Sequence, residues 1–136
     1  MTISAAIANI QNKVATLPGI KAAPSEPPEG MGQFPFAVTY PKNGSFRLES
    51  AGFGTYLHTL ICEIHVARVI LPRAISQTIP YIESFIQIVL SDPQLGGTVT
   101  SANVIRYEFG RLVWAGEEHI GVRFEVDVKI LQEGGV

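Results

Sequence analysis

Charge is what this sequence has least of. Asp, Glu, Lys and Arg make up 16% of the 136 residues, against roughly 25% in ordinary soluble domains. A small domain has a high surface-to-volume ratio and needs more charged surface, not less. Part of the surface is therefore expected to be covered by other subunits. The alternative is a monomer with a Ser/Thr/Gly-rich surface. Ten basic and twelve acidic residues give a net charge of -2, which excludes bulk electrostatic attachment to nucleic acid or to an anionic membrane. The single cysteine, Cys62, excludes an internal disulfide framework and a cysteine-rich metal site, and it fits a reducing compartment. No segment approaches the ~18 apolar residues of a membrane-spanning helix. The longest apolar-rich stretch, residues 57–71, is interrupted by His58, Glu63, His65 and Arg68. Residues 1–17 do not read as a signal peptide, lacking a basic start and carrying Asn9, Gln11, Asn12 and Lys13. Internal repeats and heptads are absent.

What the chain does have is alternation. Ile120, Val122, Phe124, Val126, Val128 and Ile130 are interleaved with Gly121, Arg123, Glu125, Asp127 and Lys129. Successive strand side chains point to opposite faces, so this segment is a strand with one dry face and one charged face. Residues 4–17 read as a helix, with Ile3, Ile7, Ile10, Val14 and Leu17 in one stripe and Pro18-Gly19 as its stop. Residues 21–33 are dense in Pro and Gly and predict an arm across the surface. Residues 34–40 form a short strand ended by Pro41. Residues 42–54 then read as a long, glycine-punctuated excursion carrying Phe46 and Phe53, with a second extended segment beginning at residues 46–49. Residues 56–70 are a strand that at ~3.3 Å per residue would span about 50 Å, so that it projects beyond the sheet or bends. Residues 72–90 are a second helix with Ile75, Ile79, Ile82, Phe85, Ile86 and Val89 as its buried stripe. Pro80 is expected to kink or split it. Residues 98–109 form a strand, Gly110 a turn or bulge, and residues 111–115 a further short strand. The order is α-β-β-β-α-β-β-β. It predicts one α+β domain over residues 1–136, an antiparallel sheet or sheets of about six strands with two helices on one face.

The search for chemistry returns little. His58, Cys62, Glu63 and His65 lie on one strand, with Glu63 and His65 on one face and His58 and Cys62 on the other. A Cys/His pair is formally a nucleophile and base, but Cys62 sits among Leu60, Ile64 and Val66 and reads as a core residue. Glu63 and His65 with His119 have the residue types of a metal site. Two ligands are too few and nothing in the sequence brings His119 near, so a surface cross-strand pair is expected. The glycine-rich pieces lack the Lys and Ser/Thr of a phosphate loop, and no Ser lies in a nucleophile elbow. No catalytic, cofactor-binding or metal-binding residue is assigned. The charged face of Arg123, Glu125, Asp127 and Lys129 is expected to be solvated, to pair across subunits or to line an aqueous channel. On the excursion, Phe46, Arg47, Glu49 and Phe53, with Tyr56 after it, are candidate contacts: large aromatics there either tuck back or bind something.

Several short words and their order carry a family resemblance. Leu17-Pro18-Gly19-Ile20 and a Pro-rich segment lead to Phe34-Pro35-Phe36-Ala37-Val38. A long strand leads through Leu71-Pro72 into a helix ending Leu90-Ser91-Asp92-Pro93, followed by Gly97-Thr98-Val99. Trp114-Ala115-Gly116 then precedes His119-Ile120-Gly121-Val122-Arg123-Phe124-Glu125-Val126. Over most of its length the chain resembles the tail terminator and tail-completion (head–tail joining) proteins of long-tailed bacteriophages. That resemblance implies a structural, non-enzymatic virion protein: a homohexameric ring capping the last tail-tube ring, ending tube growth and docking the head connector. Its partners would be itself, the tail-tube protein and the connector or neck protein. DNA would pass only in transit, through a lumen that Arg123, Glu125, Asp127 and Lys129 would line. The location implied is the virion tail or neck, with assembly in the host cytoplasm and no membrane. Two other readings stay open: a dimeric enzyme or ligand-binding domain with a pocket near Glu63 and His65, and an adaptor whose long strand, residues 56–70, pairs edge-to-edge with a partner.

Overall fold

The computed structural model describes residues 1–24, 33–69 and 72–133. Helix α1 (Ile3–Ala15) is capped by Thr2, whose hydroxyl accepts from the Ala5 amide at 3.1 Å. Strands β1 (Phe36–Ser50) and β2 (Phe53–Ala67) follow, then helix α2 (Pro72–Leu90), a short 3-10 turn (Leu95–Gly97), and strands β3 (Ser101–Trp114) and β4 (Glu117–Glu133). The strands form one antiparallel sheet in the order β1-β2-β4-β3. Both helices pack on one face. Ala6, Ile10, Val14, Tyr81, Phe85 and Val89 meet Leu60, Cys62, Ile64, Val122, Phe124, Val126 and Val128 there, and Phe85 stacks on Phe124 at 4.1 Å. Cys62 is a core residue, and burial pushes its thiol up to about 12.

The α+β class and the antiparallel sheet agree with the sequence reading, but the described residues hold four strands rather than about six, in the order α-β-β-α-β-β. The expected break at Pro41 is a bulge: the register steps from Pro41 opposite Leu60 to Asn43 opposite Thr59. β1 is an edge strand along this stretch, so the donor that proline lacks is not needed by a second neighbour. The bulge also reverses the side-chain phase, turning Phe46 and Leu48 to the helix side of the sheet. The 42–54 excursion is thus the end of a β1–β2 hairpin, turned at Ala51-Gly52 with Gly52 at φ 73°. β4 runs alongside it as far as Glu133 opposite Phe53. Gly110 likewise does not end a strand. β3 passes through it, with Gly110 opposite Gly121. The turn comes at Ala115-Gly116 (φ 53° and 80°), the positive-φ pair that a two-residue hairpin requires. Of the 21–33 arm, residues 25–32 lie outside the described residues. Its near end runs beside β1 through an Ala22–Phe36 bridge.

α2 departs from expectation twice. It continues unbroken through Pro80, which is exposed, so water can reach the Ser76 carbonyl left without its helical donor. The helix is also turned relative to the expected stripe. Ala74, Thr78, Tyr81, Phe85 and Val89 face the sheet, while Ile75, Ile79 and Leu90 are exposed and Ile82 and Ile86 are half-buried. Small residues at 74 and 78 let the helix lie close to the strands. The polar groups this buries are satisfied: Thr78 donates to the Ala74 carbonyl at 2.7 Å and Tyr81 to the Pro18 carbonyl at 2.9 Å.

Candidate functional site

The sheet face away from the helices carries a polar chain that spacing alone did not reveal. Glu63 and Arg123 are cross-strand partners on β2 and β4. The Glu63 carboxylate accepts from Arg123 Nε at 3.1 Å and Nη2 at 3.0 Å, and from the Tyr40 hydroxyl. Its other oxygen lies 2.8 Å from His65 Nε2, and His65 Nδ1 lies 2.9 Å from His119 Nδ1. His119 Nε2 lies 3.2 Å from Glu117. The expectation of a surface Glu63/His65 pair is therefore corrected. Glu63, His65 and His119 are 1%, 0% and 1% exposed, and His119 is the neighbour that the sequence could not place. Phe36 covers His65, its ring stacked at 4.5 Å, and Phe34 stands edge-on to His119 at 4.8 Å. The Trp114 ring centre lies 6.0 Å from that of Tyr40 and 6.3 Å from that of His65. Glycines 121 and 110 continue the cross-strand row from His65, and at Gly121 the Ile64 carbonyl approaches too closely for a side chain.

The electrostatics follow from the contacts. Burial raises the Glu63 carboxyl, but hydrogen bonds from His65, Tyr40 and Arg123 outweigh it and hold the group below its ordinary value. Burial and the Glu63 carboxylate push the Tyr40 phenol up to about 12. Burial lowers His119, against a partial upward pull from Glu117. The ring contacts run in series from Glu63 through His65 and His119 to Glu117, whose carboxylate is largely in water. Glu63 and His65 thus satisfy each other inside the sheet, closed to a ligand. Among the described residues, no three His, Cys, Asp or Glu side chains are placed to hold a metal.

The charged face of β4 divides. Arg123 is bound to Glu63, and Glu125 is buried between Lys42 (2.9 Å) and Arg106 (3.2 Å). Lys42 above all, with Arg106, holds the Glu125 carboxyl below its usual value. Asp127 is exposed and accepts from Thr59 at 2.8 Å, and Lys129 is exposed.

The hairpin end stands apart from the body. Residues 41–52 are all exposed, and a hollow of about 450 Å³ separates Tyr56 and His58 at its root from residues 1–4. Phe46 lies across Gly54 and against Tyr56, ring centres 4.6 Å apart, yet half of it faces solvent. Leu48 beside it is more exposed still, Arg47 and Glu49 are exposed, and Phe53 and Tyr56 are half-buried. The five candidate contact residues therefore sit together on one projecting element. Sequence reasoning missed a second apolar surface. Tyr107 and Phe109 on β3 pair with Phe124 and Val122, so they point to the helix side, where both remain exposed. The exposed Ile75 and Ile79 lie on the flank of α2 away from α1, since Gln77, Ser84 and Ile88 face Leu17 and Pro18. The sign was present in α2, whose apolar residues fill two adjacent stripes while one helix can bury only one against a sheet.

No protein-family model matches this chain, and no curated protein matches it in sequence.

Proposed function

We propose that this chain is a structural virion protein that assembles with copies of itself into a ring, a hexamer, at the head-proximal end of a phage tail. There it ends tube growth and offers the head connector its docking surface. The observation that carries the self-assembly is the pairing of a projecting arm bearing exposed Phe46 and Leu48 with a second uncovered apolar surface on α2 and β3. A charge-poor chain with two such surfaces has a reason to associate. The placement in a phage tail rests on the resemblance in element order and short sequence words. In this reading Asp127 and Lys129 face the lumen together with the paired charges of Arg123 and Glu125. Mixed signs there let DNA pass without being held.

Two alternatives follow from particular features. A pocket enzyme at Glu63 and His65 requires those closed side chains to open. An adaptor pairing through the long strand of residues 56–70 has no edge to offer, because β2 lies between β1 and β4; among the described residues the outer edge of β3 has no strand beside it. Light scattering after size exclusion across a concentration series, with negative-stain images of the same fractions, separates the three. Rings of roughly six copies support the proposal. A compact dimer with no rings favours the pocket domain, and a lasting monomer that pairs one-to-one with a partner favours the adaptor.

A further inference from the structure

We infer that the helix side of the arm, Phe46 and Leu48, seats in the trough between α2 and β3 of the next copy, against Ile75, Ile79, Tyr107 and Phe109. The inference rests on the reading that the chain assembles with itself, and it names the surfaces that meet. Within one copy they cannot meet. Phe46 and Leu48 lie on β1, one edge of the sheet, and Tyr107 and Phe109 on β3, the opposite edge. Both pairs point to the helix side, since Phe46 pairs with Tyr56 on the phase of Leu60 and Cys62, while Tyr107 pairs with Phe124. Two copies side by side in one plane therefore present arm to trough without either turning over. The trough is located by packing: Phe85 stacks on Phe124, whose partner across the strands is Tyr107. Gln77, Ser84 and Ile88 flank Phe85 on the side of Leu17 and Pro18, which leaves Ile82 and Ile86 on the flank away from α1.

The area is sufficient. The six side chains are between 40% and 66% exposed. Together that is about three whole large side chains, on the order of 600 Å² at roughly 200 Å² each. Specific interfaces are a little over half apolar, so this corresponds to a contact of about 1,000 Å² in all, the size at which specific association begins. Charge does not oppose the contact. α2 carries only Arg73 and Glu83, and residues 43–58 only Arg47 and Glu49. Arm and trough lie on opposite edges, so the contact is head-to-tail, and it makes a ring where the rotation between copies closes.

The test is site-directed cross-linking with a short bis-maleimide on the full chain. Cys62 is the only native cysteine and is fully buried with its thiol raised, so it stays silent. The double variant L48C/I79C should give a covalent ladder that ends at the closed species. Each single variant should give no product, and a mixture of the two singles should give dimers and nothing larger. Cross-links in L48C or I79C alone would mean like surface on like surface and overturn the assignment. Oligomers of native size without cross-linking in the double variant would also overturn it while leaving the ring standing. A monomer at every concentration would overturn both. A second variant, Ile79→Glu, should raise the concentration needed for assembly at least tenfold with the protomer's melting temperature unchanged. Assembly like the parent's would refute the contact.

Discussion

Replacing Glu63 by leucine removes one carboxylate that four donor groups share. The consequence can be apportioned by asking which of them can find water instead. Arg123 keeps 43% of its side chain exposed and can turn outward. Tyr40 is half-buried and can do so in part. His65 is fully buried between Phe36 and His119, so its Nε2 position is left with nothing. An unsatisfied buried donor costs about 1–3 kcal/mol, and breaking a fully buried ion pair costs about 3–5 kcal/mol. The exposure of Arg123 places this site near the lower figure, so Glu63→Leu should lose about 3 kcal/mol. That is a large part of the ~5–15 kcal/mol stabilising a domain of this size. It should lower the melting temperature by roughly 10 °C. Glu63→Gln keeps one acceptor and should lose about half as much. Urea titration followed by far-UV circular dichroism, with slopes compared to confirm an unchanged folded state, measures both. If Glu63→Leu is as stable as the parent, the polar chain contributes nothing net and the reasoning fails. If adding His65→Leu to the Glu63→Leu variant recovers none of the loss, His65 is not the group stranded.

The same chain predicts acid sensitivity in two steps. The His119 pKa is lowered on folding, so the unfolded chain takes up the proton first and stability falls as pH drops below about 6.5. The Glu63 pKa is also lowered, so the stability it contributes is present above about 4.5 and is lost as pH falls through the lower folded value. Urea midpoints at pH 8, 6 and 4 should therefore decrease in order, and a flat profile would contradict the contacts. Val126→Asp should unfold the domain, because it buries an unpaired charge costing several kcal/mol. Asp127→Ala should leave the melting temperature nearly unchanged, and equal behaviour of the two would mean that the strand phase is wrong. A Cβ on Gly121 would lie 1.9 Å from the Ile64 carbonyl oxygen. Gly121→Ala should thus force β2 and β4 apart at a cost of about 1–3 kcal/mol, seen as a lower urea midpoint.

Where one residue's environment repeats at a fixed period, the sequence was sufficient. The alternation at 120–130 placed Ile120, Val122, Phe124, Val126, Val128 and Ile130 in the core, where all six are buried. The stripe of α1 likewise placed Ile10, Val14 and Leu17. The strand count failed at Pro41 and Gly110 because a breaker's effect depends on whether the strand has one neighbour or two, and that is a property of the sheet. The face of α2 failed because two apolar stripes compete, and close approach by Ala74 and Thr78 decided between them. The same-face relation of Glu63 and His65 was legible. Their burial was not, because it depends on Phe34, Phe36 and Trp114, which arrive from other strands. His119 meets His65 across 54 residues through the β2–β4 register, and those two strands are connected through α2 and β3 rather than by a turn.

β2 and β4 pair over fourteen positions, most of them apolar on the helix side. Such a ladder has near-equivalent alternatives. A slip of one residue would turn every side chain to the wrong face, but a slip of two would keep each apolar residue on its own side. Hydrophobic burial scarcely distinguishes these alignments. The polar chain does. A two-residue slip one way sets Glu63 opposite Glu125 and His65 opposite Arg123. The other way, it sets Ile61 opposite Arg123 and Glu63 opposite a glycine. The buried carboxylate thus acts as a key cut for one position along the lock, and an arm built on these strands extends by one fixed length in every copy.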